Sequence, residues 1–525
     1  MTHPVRSTSP EPVVILENAF QDSYNNSVAT ARTCYSSKVI HAEDVSNDEA
    51  ARARRDGIAE SIYKAGHHTT IQHATFQFVL DKVSRQFIWS FLHSHPFYNS
   101  EQVSQRYVEV KPGNFTIPAL RDDHVAFYQQ AILEQMETYH DLCRLLEPTV
   151  AREYQRIFPA RSTKDKNGVS AIRKRCQEVA RYALPVATHA HLYHTISGLT
   201  LHRYHRLCEQ FDAPVEQKIV IRKMVDAVNR FDPEFFKFIE DPLPLEKTLE
   251  YQLINGFDQG ARGRWPDAFV REFDQDLGGY SSKLVDYKAN AEAVLAQGVR
   301  SVLGLPKNQM SDETAIDAVL NPARNPYLSE TLNLSSISKL MRVLSHPHFT
   351  FKKKISHAAD SQNQRHRMTP GSRPVLIQQV RWNEPDYIIP ALIQATPEAL
   401  DYYRRSMQRL WTHLSDLVNA GEKEEDVLYL LPNAFPIRFE ESGELLNFHH
   451  KWTQRLCYNA QEEIWKISQE EVLQLQKRFP LLGRYFGAPC WMRQQAGVKP
   501  FCPEGDRFCG VTVWKLPIHQ YQRFI

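Results

Sequence analysis

Two short blocks hold the residues of this chain best suited to chemistry. Arg365-His366-Arg367 lies three residues beyond Gln362, and Ser104-Gln105-Arg106-Tyr107 follows Glu101 and Gln102 in the first half. A guanidinium is a planar fork of donors that stays charged and meets phosphate oxygens bidentately, so converging arginines suit phosphorylated ligands. On an extended segment Ser104 and Arg106 would point the same way and grip one phosphate together. Arg365 and Arg367 would do likewise, with His366 turned towards the fold. An isolated Arg-His-Arg is ordinarily a solvated surface cluster, but its setting here is not isolated.

Both blocks follow a His-x-x-Phe-x-Phe phrase, His73 to Phe78 in the first half and His346 to Phe351 in the second. The first copy has His93-Ser94-His95 where the second has Arg365-His366-Arg367. The second copy lacks the Ser-x-Arg-Tyr ending. An internal repeat whose copies have lost complementary parts points to one working site assembled from two halves.

The elements that must position these blocks follow from length and pattern. At 525 residues the chain exceeds the size at which single cores stop growing, so two domains are expected. The Pro-containing, charged EDPLPLEK stretch at 240–247 is the best linker, giving domains over 1–243 and 244–525. Residues 12–20 read as a buried strand and 249–257 share that character. Each half closes with a long helical pattern. One runs through ALPVATHAHLYHTISGLTLHRYHRLCEQ into VEQKIVIRKMVDAVNRF, the other from LLPNAF to LQLQKRF. The order is α+β, duplicated: two tandem domains, each a mixed α/β sheet layer with a long-helix bundle.

Other clusters carry less. His189, His191, His194, His202 and His205 lack carboxylate or cysteine partners at ligand spacing and read as core or helix-surface residues. Cys490, Cys502 and Cys509 could bind zinc with His519, but no Cys-x-x-Cys occurs, so no metal is expected. A net charge of +2 gives no footprint for nucleic acid or a membrane surface. No apolar run is long enough to span a bilayer, and the start, MTHPVRSTSPEPVV, reads as a polar leader. Eight scattered cysteines fit a reducing compartment, so a cytoplasmic location is expected.

Taken in order, these phrases resemble the flavin-dependent thymidylate synthases, the ThyX family. Gly66-His67-His68-Thr69-Thr70-Ile71-Gln72-His73 resembles its GH-x-[ST]-x-x-[EQ]H phrase, and Ala180-Arg181-Tyr182-Ala183-Leu184-Pro185 its AR-x-x-LP phrase. Arg455 with Ala460-Gln461-Glu462-Glu463-Ile464 resembles its late helix. The resemblance covers most of both halves, as two copies in tandem that would pack as a pseudo-dimer.

In that family the site lies between subunits. The resemblance assigns Gln362, Arg365, His366, Arg367 and Arg455 to one side, and Ser104, Arg106 and Arg181 to the other. Leu428 stands where the second half would carry the AR-x-x-LP arginine, and Cys208 where the first would carry the late-helix arginine. One composite site would therefore be complete and its mate dismantled. The resemblance implies FAD, with methylenetetrahydrofolate and NADPH as co-substrates, and methylation of dUMP at C5. Arg455 would stabilise negative charge on the pyrimidine, although on an amphipathic helix it could instead pair with Glu462 or Glu463. Gln362, Arg365, Glu101, Gln102, Ser104, Arg106 and Arg181 would hold the nucleotide. Arg365, His366, Arg367 and Thr69 would hold the flavin, with Ser197 and Arg203 at positions that normally touch it.

The first-half block carries one extra residue before Ser104, and the cysteine-bearing tail has no counterpart in short family members. Two alternatives therefore stand: flavin-dependent modification of another pyrimidine nucleotide, such as hydroxymethylation, or a silent nucleotide-binding scaffold. The tandem chain is expected to pair into a homodimer, a pseudo-tetramer.

Overall fold

A computed structural model describes residues 7–257, 265–523 and 525; residues 1–6 of the expected polar leader lie outside the described residues. The first half holds an antiparallel sheet of order β1-β2-β4-β3, made of β1 (Val13–Ala19), β2 (Thr75–Ser84), β3 (Asn99–Gln102) and β4 (His189–Ser197). Its helices include α1 (Arg85–His93), α2 (Asp122–Ile157), α3 (Lys166–Ala180), α4 (Gly198–Arg206) and α5 (Pro214–Phe231). The second half holds a three-stranded antiparallel sheet of β5 (Ser282–Tyr287), β6 (His348–Ser356) and β7 (Pro436–Glu444). Around it stand α6 (His357–Asn363), α7 (Pro397–Asn419), α8 (Leu445–Arg455) and α9 (Glu462–Arg478). The architecture is mixed α+β with two small sheets.

Three expectations are corrected. The strand expected at 12–20 forms as β1 but lies at the sheet edge with Val13 and Ile15 exposed, not buried. Residues 249–256 form a helix, not a strand, because Thr248 caps its first turn by accepting from the Tyr251 amide. The long helical pattern assigned to the end of each half begins with a strand, β4 or β7, before its helices. In β4 alternate residues from Ala190 to Ile196 face the core, a period of two that a helix cannot satisfy. The His-x-x-Phe-x-Phe phrases do form strands, with Phe76, Phe78, Phe349 and Phe351 fully buried.

The two halves use the same joint between strand and site-bearing helix. Ser84 ends β2 and caps α1, while Ser356 ends β6 and caps α6. Glu216 on α5 accepts from the Ser84 amide and hydroxyl at 2.7 and 2.6 Å. Glu463 on α9 accepts from the Ser356 amide and hydroxyl at 2.7 and 2.5 Å. One difference in strand length is absorbed by a bulge in β2 between Leu80 and Val83, where Lys82 has φ 55°.

Each half has its own apolar core, and a third core draws on both, packing Trp89, Tyr128 and Tyr139 with Tyr403, Trp411 and Phe435. Between the halves the backbone bonds are reciprocal. Val186 donates to Leu431 O and Asn433 to Leu184 O, while Ala187 donates to Tyr429 O and Ala434 to Tyr182 O. The tyrosine hydroxyls cross over too, Tyr182 to Glu463 and Tyr429 to Glu216.

Candidate active site

The block carrying Arg365-His366-Arg367 leaves the end of α6 as a turn, held at both ends by one buried carboxylate. Glu441 Oε1 accepts from Asn363 at 2.7 Å and from the Thr369 hydroxyl at 3.3 Å. Lys353 and Lys451 neutralise Glu441, and the three are almost wholly buried, so this anchor excludes water. Burial pulls the Lys451 ammonium down to about 7.

From this turn Arg365 and Arg367 both reach into the first half. Arg365 donates to Ser100 O at 3.0 Å and pairs with Glu101 at 2.7 Å. Arg367 donates to Pro96 O and to Asn99 Oδ1 at 3.2 and 3.0 Å, and its guanidinium lies over the Tyr98 ring. His366 turns the other way. Its Nε2 accepts from Arg455 Nε at 2.9 Å, and burial together with Arg455 keeps the ring neutral, so its proton sits on Nδ1. Arg455 also donates to Gln362 O at 3.0 Å. Burial, then repulsion from Arg106 and Arg365, lowers the Arg455 guanidinium to about 10. It is half-buried and paired inward rather than resting on Glu462 or Glu463.

The Ser104–Arg106 segment is a turn, not the extended strand the spacing suggested: Ser104 Oγ accepts the Arg106 amide and Ser104 O the Tyr107 amide. Arg106 pairs with Glu178 at 2.9 Å while donating to Asn459 O at 2.8 Å. Arg181 is buried; its Nε donates to Glu178 O, and its Nη2 has no partner. Gln362 Oε1 is likewise buried and unpartnered. Glu178 is held down to about 2: burial opposes its charge, but Arg106, Arg175, Arg523 and Arg181 together prevail. Gln102 accepts from the buried Arg85 at 2.8 Å, which fixes β3 beneath the turn.

A cleft of about 550 Å³ opens between the halves beside these arginines. Its walls include Gln77, Tyr98, Tyr193, Arg365 and Arg367. Arg203 lies over the Phe97 ring and, with Arg367, flanks His95, which burial and these two cations lower to about 4. Ser197 caps α4. Thr69 sits exposed on the 3-10 turn His68–His73 and hydrogen-bonds to none of these groups. The structure thus gathers Gln362, Arg365, His366, Arg367 and Arg455 with Glu101, Arg106 and Arg181, and leaves Thr69 and Ser197 outside that network. Of the five early histidines, His194 and His202 are buried in the core.

Two stretches, residues 15–234 and 283–481, match one family described as thymidylate synthase complementing protein, and together they make up most of the chain. The chain belongs to that family. Its relatives include the flavin-dependent thymidylate synthase of Clostridium tetani, 24% identical over 216 residues that span 40% of this chain and 79% of the relative. The enzyme of the same name from Geobacter sulfurreducens is 28% identical over 171 residues, 32% of this chain and 70% of the relative. Among solved structures, the UMP/dUMP methylase PolB from Streptomyces cacaoi bound with 5-Br dUMP aligns with a TM-score of 0.29 and 19% identity. That alignment covers 43% of this chain and 95% of PolB.

In this thymidylate synthase complementing family member, three residues that sequence reasoning passed over shape the site. Glu178 lies one helical turn before Arg181, a spacing that could have marked it. Glu441 carries no local signal, since its partners are far along the chain. Arg523 comes from the C-terminal tail, which folds back so that its guanidinium donates to Ala460 O and lies 3.7 Å from Glu178. Among the described residues, no three His, Cys, Asp or Glu side chains converge closely enough to hold a single metal ion, and no helix is long and apolar enough to cross a membrane.

Proposed function

We propose that this protein methylates dUMP at C5, taking the carbon from methylenetetrahydrofolate and electrons from NADPH through bound FAD. The reaction would run at one composite site between two domains packed as a pseudo-dimer. One observation carries the reading: residues from the two halves interlock, Arg365 with Ser100 and Glu101, and Arg106 with Asn459 beyond Arg455. The flavin-dependent thymidylate synthases among its relatives support the reaction class.

The residues present fit anionic, planar guests. Arg106, Arg175, Arg181 and Arg523 share Glu178, so positive charge is in excess, and the Arg181 Nη2 and Gln362 Oε1 atoms await partners. The 550 Å³ cleft with Arg365, Arg367 and two tyrosines has the size and mixed lining of a cofactor pocket. Arg365, Arg367 and Gln364 would hold the flavin there, with Arg203 at its rim. When bound, that group supplies hydride and carbon transfer chemistry. Arg365, Arg106 and Ser104 would bind the nucleotide phosphate, and Arg181 and Arg455 the pyrimidine edge. Neutral His366 holds Arg455 through a single bond and leaves its charge available for negative charge developing on the ring.

Purified protein should be yellow and should bind dUMP with a stoichiometry of one per chain by calorimetry. Protein that takes up no flavin on reconstitution and binds no dUMP would overturn the reading. Product analysis with several pyrimidine nucleotides then separates methylation from hydroxymethylation.

A further inference from the structure

The tail beyond α9 does more than deliver Arg523. With two helices of the first half it walls a cleft of about 1110 Å³, about twice the volume of the one beside Arg365. α3 gives one face of that wall, Ala171, Lys174, Arg175 and Glu178, at helical spacing. The end of α2 gives Tyr154 and Ile157, followed by Phe158 and Arg161, and tail residues 504–512 supply another side. The tail is fixed to both halves. Gly510, at φ 82°, lies so close to α2 that a Cβ would meet Ile157 at 2.4 Å. Asn459 Nδ2 donates to Arg507 O at 2.7 Å, and Gln469 on α9 donates to Ile518 O and Tyr521 O at 2.8 and 3.0 Å. The cleft is therefore a built feature and not a gap under a loose end. The first half passes from α5 straight into the linker, so the cleft has no mate there.

Its lining side chains include seven cations and four carboxylates, so positive charge prevails. Two of the carboxylates are already paired, Glu178 with Arg106 and Glu153 with Arg156, while Glu504 and Asp506 stand on the tail. Lys174, Arg161 and Arg507 are exposed, and among the described residues their side chains have no ion-pair or hydrogen-bond partner. Arg161 is held 4.0 Å from the centroid of the Phe158 ring, which places its charge without neutralising it.

Phosphate is ordinarily gripped by the backbone amides of a helix N-terminus, and no α-helix begins among the residues of this wall. The free cations sit singly on different elements, Lys174 on α3, Arg161 beyond α2 and Arg507 on the tail. Such a distribution suits single anionic groups spaced along a flexible chain, and the rings of Phe158 and Phe508 between them suit an apolar linker. The cleft shares no lining residue with the 550 Å³ cleft, and it meets the composite site at Arg106 and Glu178. We propose that this cleft holds the γ-linked glutamate chain of the folate co-substrate, whose ring end lies towards Arg106. Naming a folate rests on the proposed reaction, whereas the fit to spaced carboxylates does not.

The test is calorimetry on full-length protein loaded with flavin and dUMP and titrated without oxygen with tetrahydrofolate carrying one or three glutamates. One exposed ion contact is worth up to about fivefold in affinity, so two added carboxylates should tighten binding by about tenfold. High salt should erase most of that gain. The double variant Lys174→Gln, Arg161→Gln should cut the gain to about twofold or less, with dUMP affinity and the melting midpoint unchanged. Lys307→Gln, at an exposed lysine of the second half, should keep it. Equal affinity for one and three glutamates would overturn the assignment, as would a gain that survives in the double variant. Because that variant could lose its fold, the salt series on unaltered protein is the second measurement, and a gain indifferent to salt would also overturn it. A double variant that weakens NADPH binding but not triglutamate binding would give the cleft to the dinucleotide instead. Protein that takes up neither flavin nor dUMP is titrated with tri-γ-glutamate alone: binding that the double variant loses would leave the cleft standing and remove only the proposed reaction.

Discussion

Two of the clefts between the halves differ in how their charges are balanced. Around Arg455 the balance is left open: several guanidiniums crowd Glu178, and buried polar atoms on Arg181 and Gln362 lack partners. The other cleft, about 340 Å³, is lined by Ser90, His93 and Ser94, the first-half positions equivalent to Gln362, Arg365 and His366, and by Arg373 from the second half. There the account is closed. Asp360 accepts from Arg373 at 2.7 Å and from Trp89 at 2.9 Å, and His93 lies 3.2 Å away. Glu209 and Glu250 add negative charge to its wall, whereas burial raises Asp212 to about 8, which leaves it mainly neutral at pH 7. An anion would be drawn into the first cleft and repelled from the second. One cleft thus keeps unbalanced charge while the charges of its counterpart are paired within the fold.

The sharpest break of this comparison is Asp360→Ala. It strands Arg373 and His93 in a buried site, and truncating one member of a buried pair costs about 3–5 kcal/mol. Denaturant melts should show that loss, with the flavin and nucleotide stoichiometry of the surviving folded protein unchanged. If nucleotide binding vanished while the fold held, the second cleft would be the working one.

Arg455→Ala attacks the open cleft. Removing one donor aimed at developing charge costs about 10²–10³ in kcat, and single-turnover kinetics at saturating dUMP would read it. Arg455→Lys keeps the charge but not the fork held by His366 and Gln362 O, so it should recover only part of the rate.

Acid should separate the clefts through Glu178. Its folded value, about 2, lies below the ordinary carboxylate value. The stability it contributes is therefore full above about pH 4.5 and is lost as pH falls through 2. Glu178→Gln should remove that part of the acid transition, and circular dichroism between pH 5 and 2 would show a shallower slope. Against burial, Arg373 and His93 also hold Asp360 below the ordinary carboxylate value, so the slope should not vanish.

Much of this was legible from residue order, and the reasons for the exceptions are physical. The His-x-x-Phe-x-Phe phrases announced β2 and β6 because one face of each is buried and the period is two. The complementary survival of Arg365–Arg367 and Arg106 pointed to a shared site, since charge of one sign kept on opposite partners is a pattern visible without coordinates. Residues 249–256 are helical despite their apolar content because Thr248 caps the first turn. β4 was hidden inside a helical-looking run because His189, His191 and Tyr193 alternate with apolar residues beside a true helix. Glu441 and Arg523 could not be read at all: each acts on partners distant in sequence, and a lone carboxylate or a terminal arginine carries no periodicity.

The smallest effect is the most diagnostic of where the ligand sits. Glu101 is largely exposed, with 78% of its side chain accessible, yet it lies 2.7 Å from Arg365. An exposed pair of this kind contributes about 0–1 kcal/mol, so Glu101→Gln should leave the melting midpoint nearly unchanged. A dianionic phosphate arriving at Arg365 would meet the Glu101 carboxylate as a repelling neighbour, and removing that charge should tighten dUMP binding by up to about fivefold, the equivalent of the same 0–1 kcal/mol. Calorimetry at low and high salt reads both the sign and its screening. Weaker binding in Glu101→Gln would mean that the carboxylate earns its place by orienting Arg365, and unchanged binding would move the phosphate away from Arg365 towards Arg106 and Arg181, deeper between the halves.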